Sequence, residues 1–433
     1  MQIQAWTSRR VSRPANPMSR RPFILVTWLL KLTLLAAFSS AVEPPRPQPF
    51  SILRERQTEY VGPGRDEPPP EDVSEVLIGY FGPGDPEHAL YGDLWRAATW
   101  AVADANRNGG YRGVPFRLVA AWSDDPWGGG VKELTRLVFE ERVWAVIGGV
   151  DGPTTHLAEQ IVVKARLPLI SPVSTDKSVN LANVPWMFSL APGDHLLAPL
   201  LADEIVARAG VHDFVLITAD DHDSRVLTAD LRSALARHHA VPRFQHTCRQ
   251  TDPQLAELIA EVLQSPPAAM VIVADAADSA RLIRALRSQH YEGHVFGGPA
   301  LGRHLFLQAA CPAAERAVFP LLYTAPDCPP AAPVEAAAFD YAAAHTFDAV
   351  SLTIEAIRRA GLNRARIHDA IRALDGWSGL TGPVHWDKLG SNTRVPRLGV
   401  ISFPHQRLGA AQNHATLNAL PTCPPTTSRK NGG

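Results

Sequence analysis

The 433-residue chain sets 42 Lys and Arg against 43 Asp and Glu, a formal net charge of −1, and is 45% hydrophobic. This is a globular composition long enough for two or three domains. The even balance excludes the basic stripe of a nucleic-acid binder, so no nucleic-acid partner is expected.

Residues 1–41 read as an export signal. Arg20 and Arg21 precede an apolar run over 23–37, and Ser39-Ser40-Ala41 supplies a small-x-small cleavage site. Ser19-Arg20-Arg21-Pro22-Phe23-Ile24 resembles a twin-arginine signal, and Met18 offers a second start. The alternative is an uncleaved membrane tether, for which the run is short of about 20 residues and carries Lys31. Residues 42–75 form a Pro-rich, disordered tether, with Pro44, Pro45, Pro47, Pro49 and Pro68-Pro69-Pro70.

Strands and helices then alternate. A strand is predicted over 76–81, a helix over 91–106 stopped by Asn108-Gly109-Gly110, a strand over 116–122 and a helix over 131–140. A strand at 144–147, a further helix and an apolar segment at 167–171 complete the first set. The second set places helices at 198–209, 225–239, 253–263 and 279–288 between strands at 214–218, 242–246, 270–274 and 295–297. Continuous apolar strands between amphipathic helices imply parallel sheets covered on both faces, and two sets imply two α/β domains. Residues 404–433 lack periodic apolar pattern and read as a disordered tail. None of Cys248, Cys311, Cys328 and Cys423 is spaced as a CxxC motif. Export permits a disulfide; Cys311 and Cys328 flank one helix-to-strand connection and are the expected pair, with unpaired thiols as the alternative.

No nucleophile elbow, phosphate-binding P-loop or dinucleotide fingerprint is present. Asp220-Asp221-His222-Asp223 combines oxygen ligands with an imidazole, which would suit a metal. Consecutive residues rarely converge on one ion, so a polar loop capping the next helix is preferred and no metal is expected. Thr154, Thr155, Ser174 and Thr175 are hydroxyls at helix starts after strands, where a ligand carboxylate would be welcome and where simple capping is the competing role.

Several stretches carry a resemblance. Ile78-Gly79 and Gly82-Pro83 precede Tyr91-Gly92 and Asn106-Arg107-Asn108-Gly109-Gly110; Asp124-Asp125 follows the second strand. Val146-Ile147-Gly148, Leu169-Ile170-Ser171-Pro172-Val173-Ser174-Thr175, Phe347-Asp348-Ala349-Val350 and Thr381-Gly382-Pro383-Val384-His385-Trp386-Asp387 come later. In this order they resemble the type I periplasmic-binding-protein family, known for the leucine/isoleucine/valine-binding proteins of ABC importers. The resemblance implies an α/β fold of two doubly wound parallel-sheet lobes joined by a three-stranded hinge. Lobe I is expected at 76–190 plus 318–377 and lobe II at 191–317 plus 378–403. It further implies a non-catalytic, periplasmic or extracytoplasmic monomer with no cofactor, closing on a small-molecule ligand and working with ABC permease subunits.

For the site, the resemblance implies that Ser174 and Thr175 hold the ligand by backbone and hydroxyl contacts; Tyr91 is a candidate for the pocket wall, as are Tyr80, Phe81 and Trp122, for which core packing is the alternative. The family's carboxylate-binding serine aligns with Gly152, leaving Thr154 or Thr155 as substitutes. The family's aromatic position falls at Asp223, beside His222. Its ammonium-pairing acid aligns within Gly298-Pro299-Ala300, where no acid stands; Asp223 or Asp275 are the replacements. The solute is therefore an amino acid, an amide or an organic acid. Competing expectations are a sensing or scaffold module of the same fold and a metal-dependent hydrolase using Asp220, Asp221, His222 and Asp223.

Overall fold

Strand β1 (Val76–Phe81) is buried at five of its six positions, as a central parallel strand covered on both faces must be. It lies between β2 (Phe116–Ala121) and β3 (Val146–Gly148), followed by β4 (Leu169–Ser171) and β5 (Met187–Ser189), all in parallel register. Alternate side chains serve opposite faces. Ile78, Tyr80, Ile147 and Ile170 pack on one side, and Phe81, Val146, Leu169 and Met187 on the other. The computed structural model describes residues 60, 62–249, 255–324, 339–403 and 415–416. The expected export signal and Cys328 lie outside these residues, while Cys311 is disulfide-bonded.

Helix α1 (Gly92–Arg107) buries Leu94, Ala97, Ala98, Ala101, Val102 and Ala105, the spacing of one helical face. It ends where Gly109 and Gly110 take positive φ (88° and 60°); a Cβ on Gly110 would meet the Val114 carbonyl oxygen at 2.3 Å. Residues 126–140 form one helical path in which α2 (Val131–Thr135) is flanked by π turns, longer than the helix expected at 131–140. Helices α3 (Gly152–Ala165) and α4 (Ser178–Leu181) complete the connections of the first sheet.

After α5 (Asp194–Ala202) the pattern repeats. Among the described residues the second sheet runs β14 (Ala415–Thr416), β13 (Arg397–Val400), β10 (Val318–Leu321), β9 (His294–Gly297), β8 (Ala269–Val273), β6 (Phe214–Ala219), β7 (Phe244–Cys248). Its connections are α6 (His222–Arg237), α7 (Leu255–Leu263), α8 (Ala276–Ser288) and α9 (His304–Ala310). The β10–β13 pair is antiparallel and the others are parallel. Val215, Ile217, Met270 and Ile272 fill one face, and Phe214, Leu216, Val271 and Val273 the other. Helices α10 (Tyr341–Ala360) and α11 (Arg364–Ala373) return to the first lobe, where Val350, Ile354 and Ile357 join the core that holds Leu94. A short ribbon, β11 (Ser378–Gly379) with β12 (Gly382–Pro383), precedes β13.

Three expected boundaries differ. Sheet membership puts Val318–Leu321 in the second lobe, because β10 pairs with β9 and β13. The end of the tether is ordered: the Arg65 guanidinium pairs with Asp369 at 2.7 Å, and Asn363 Nδ2 donates to the carbonyls of Gly64 and Glu67. Side chains of α11 and its cap thus satisfy a Pro-rich backbone that cannot pair as a strand. In the tail, Ala415–Thr416 pair with Gly399 and Val400; its other residues lie outside those described.

Candidate functional site

The carboxyl ends of both sheets open on one cavity of about 510 Å³. Loops after β1, β3 and β4 contribute Leu90, Tyr91, Val150, Asp151, Pro153, Val173 and Thr175. Loops after β6, β8 and β9 contribute Asp221, His222, Asp223, Asp275, Pro299 and Arg303. Each sheet reverses its strand order here, between β1 and β3 and between β6 and β8, which is where doubly wound folds hold ligands.

The expected hydroxyls divide. Thr154 Oγ1 accepts from the Val150 and Asp151 N–H groups, while Asp151 accepts from the Thr154 N–H at 2.8 Å, a reciprocal cap on α3. Thr155 Oγ1 donates to the Asp151 carbonyl at 2.7 Å and lies 3.2 Å from Ser171 Oγ. Ser174 Oγ accepts from the Asp176 N–H at 3.3 Å. Thr154, Thr155 and Ser174 are buried, and none of them lines the cavity; Thr175 does. Capping explains these three because each hydroxyl already meets a local partner within four residues or on the adjacent strand. Tyr91 lines the cavity as expected, stacked on His88 at 5.5 Å and edge-on to Trp122 at 6.2 Å. Burial first, then Asp151, raises its phenol to about 12.

The run Asp220–Asp223 does not converge on one point. Asp220 accepts from Arg225 at 2.9 Å and Asp221 caps α6 through the Ser224 N–H at 2.8 Å. The Asp223 carboxylate crosses the cavity to the N-terminus of α3, where the Gly152 N–H lies 3.1 Å from both of its oxygens. A Cβ on Gly152 would stand 2.3 Å from Asp223 Oδ1, so the missing side chain is what admits the carboxylate. Asp223 thus occupies the anion-favouring helix end that a ligand carboxylate was expected to use. Burial raises its carboxyl to about 7; the Gly152 N–H opposes this, and Asp151 and Asp176 add to it.

His222 also crosses. Its Nε2 lies 2.8 Å from Asp176 Oδ2, and His156 Nε2 lies 3.3 Å from the same oxygen. His156 Nδ1 is 3.1 Å from Glu159 Oε2. Burial acts to raise Asp176, but the two imidazoles outweigh it and hold the carboxyl below its usual range. Hydrogen bonding to Asp176 and Glu159 raises His156 to about 9. Sequence reasoning missed His156 and Asp176. His156 follows two capping threonines on a helix, and Asp176 reads as the cap of a short turn, which it also is through the Ser178 N–H at 2.8 Å.

A second bridge was also missed. Arg303, after β9, places Nη1 3.0 Å from Asp340 Oδ1 and 3.1 Å from Asp93 Oδ2, and Nη2 donates to the Leu90 carbonyl at 2.9 Å. Burial works against its charge, but the two acids prevail and raise its pKa. No acid stands at Gly298–Ala300, as expected, but Asp275 lines the cavity from the β8 loop.

A family model described as "Periplasmic binding protein" matches residues 77–396. An "Amino acid binding protein" of Pseudomonas aeruginosa is 30% identical over 135 residues, 31% of this chain and 36% of that one. The match therefore spans about a third of that relative's length. The branched-chain amino acid transporter substrate binding protein LivJ of Streptococcus pneumoniae, solved with isoleucine, superposes with a TM-score of 0.66. It is 20% identical, with 75% of this chain and 94% of that one covered. A leucine binding protein LivK of Thermotoga maritima gives a TM-score of 0.67 at 18% identity, with the same coverage. A solute binding protein of an ABC transporter from Rhodopseudomonas palustris BisB5, solved with 3,4-dihydroxy benzoic acid, gives 0.65 at 14% identity, covering 77% and 94%. At these identities the three structures share a fold with this chain. No described helix is long and apolar enough to cross a membrane.

Proposed function

This chain belongs to the periplasmic binding protein family, a family of binding proteins rather than enzymes, and we propose that it is the solute receptor of an ABC-type importer whose ligand carries a cationic amine. The carrying observation is the charge of the cavity wall. Asp151, Asp221, Asp223 and Asp275 line it, and Arg303, the one Lys or Arg among the described lining residues, is already paired with Asp93 and Asp340. Carboxylates gathered in a partly dry site repel one another and favour an opposite charge. A cationic solute offsets both the repulsion and the burial that push the Asp223 carboxyl up. The α3 N-terminus, filled by Asp223, leaves a ligand carboxylate to displace it first. This differs from a site in which a serine at position 152 would donate to the ligand acid.

In this reading the apolar wall of Leu90, Tyr91, Val150 and Val173 takes the solute's hydrocarbon part. The residues proposed to hold it are Tyr91, Thr175, Asp223 and Asp275, with Gly152, Thr154, Thr155 and Ser174 shaping the loops behind them and His222 turned to Asp176. Delivery to permease subunits from outside the cytoplasm follows from the same reading.

The test is a thermal-shift and calorimetric panel on the full chain in chelator-treated buffer. Its members are aliphatic diamines, amino acids with cationic side chains, neutral amides and dicarboxylates. Amine-bearing compounds should raise Tm by mass action while dicarboxylates leave it unchanged. Asp275→Asn should weaken the best amine by a few-fold, since Asp275 is exposed and solvent screens its charge, at about 0–1 kcal/mol for such a pair. Stabilisation by dicarboxylates alone would defeat the reading.

A further inference from the structure

We propose that His156, Asp176 and His222 form a binding site for one divalent transition-metal ion of the zinc class, fastening the two lobes across the cleft. The site goes beyond solute binding and stands whether or not the cavity takes an amine.

The donor atoms are already gathered. One ligand atom from each residue lies within 4.8 Å of the other two. His222 Nε2 lies 2.8 Å from Asp176 Oδ2, and His156 Nε2 lies 3.3 Å from the same oxygen and 2.8 Å from Ser178 Oγ, a hydrogen bond that an ion would replace. Zinc bonds of about 2.0–2.1 Å in a tetrahedron put neighbouring donor atoms roughly 3.3 Å apart, so small side-chain shifts suffice. The rings stand 85° apart with centroids separated by 6.1 Å, which lets both nitrogens converge without the rings meeting. Two imidazoles and one carboxylate suit zinc and its neighbours rather than magnesium or calcium, and three protein ligands leave a fourth position open.

The surroundings support an ion independently of the three donors. His156 uses its other nitrogen, Nδ1, toward Glu159 Oε2 at 3.1 Å, the outer carboxylate that commonly orients a metal-bound histidine. Glu159 is 3% exposed, and its second oxygen, Oε1, is buried without a hydrogen-bond partner. A buried carboxylate oxygen without a partner, on the residue that contacts His156, favours a cation at the cluster.

The placement gives the site its consequence. His156 lies on α3 and Asp176 in the β4 loop, both of the first lobe, whereas His222 opens α6 in the second. A complete ligand set therefore exists only when the lobes are together, and an ion that binds it favours that arrangement by its differential affinity.

Untagged full-length protein, stripped with chelator, should be titrated with zinc chloride by calorimetry and with cobalt(II) by absorption. One ion per chain is expected, with the intense visible bands of tetrahedral cobalt and none of the charge-transfer absorption that thiolates give. Glu159→Gln should weaken zinc about 10–100-fold, and His156→Gln and His222→Gln by more than that. On the unmodified chain, zinc should lower the radius of gyration in X-ray scattering, a readout that needs no variant to fold. Absence of stoichiometric zinc, cobalt bound only as an octahedral aqua-type ion, or one-to-one zinc that survives both histidine variants would each overturn the site. Failure of every amine to bind would leave these results untouched and would count only against the solute reading.

Discussion

Arg303 and the His222–Asp223 pair both reach from the second lobe to the first, yet they are held in different ways. Arg303 is enclosed: it is 7% exposed, and Asp340 is 4% exposed. Its acids are part of the scaffold, since Asp340 also caps α10 through the N–H groups of Ala342 and Ala343. His222 and Asp223 stand at the cavity wall with part of their surface open. Their partners are a bare helix end and a shared carboxylate oxygen, positions that a ligand anion or a metal ion can also fill. A guanidinium between two buried acids has no such substitute. The first bridge is structural, and the second is where we propose that an exchangeable partner enters.

The largest expected effect breaks the first bridge. Arg303→Met leaves Asp93 and Asp340 buried without their cation and should cost about 3–5 kcal/mol in chemical denaturation at neutral pH. Burial acts to raise Asp340, but Arg303 overrides it and holds the carboxyl below its usual range. A depressed carboxyl contributes stability that is full above its unfolded value of about 3.9 and lost as pH falls through the folded value. In Arg303→Met burial acts unopposed to raise both carboxyls, so they take up protons that wild type does not, and the gap between wild type and variant should narrow as pH falls from neutral. A gap that stays constant down to strong acid contradicts this account.

Next in size is Gly152→Ala. The new Cβ, 2.3 Å from Asp223 Oδ1, must expel that carboxylate, at a cost of about 1–3 kcal/mol. Adding Asp223→Ala should recover most of the loss, because the two residues touch and their effects do not add. Additive losses would show that the strain lies elsewhere. The smallest effect is reserved for the member of the acidic run that takes no part. Asp220→Ala removes an exposed pair with Arg225 and should change stability by no more than about 1 kcal/mol, with zinc and solute binding unchanged.

The fold was legible because its signals are local or repeated. Apolar strands and amphipathic helices follow each other with the right periods, and both faces of each sheet are filled as those periods require. Even the late motifs have a visible reason. The buried Asp348 carboxylate accepts from the Leu380 N–H and from the Thr381 N–H and hydroxyl, at 2.7–2.8 Å, tying α10 to the turn that begins Thr381-Gly382-Pro383. Tyr91, Thr175, His222 and Asp223 were legible as cleft residues because they follow strand ends, where doubly wound sheets hold ligands.

What each cleft side chain does was decided by tertiary structure. Thr154, Thr155 and Ser174 look identical in sequence whether they face a ligand or cap a turn, and backbone hydrogen bonding within their own loops claims them. Asp223 meets Gly152 across 71 residues, and His222 meets Asp176 across 46. No local pattern encodes such a meeting; it follows from two sheets presenting their carboxyl ends to one space. By itself, the amino-acid sequence determined the doubly wound lobes and the absence of a serine at position 152. Only the folded chain decided that Asp223 would fill the helix end this glycine leaves open, and that His156, Asp176 and His222 would share one point.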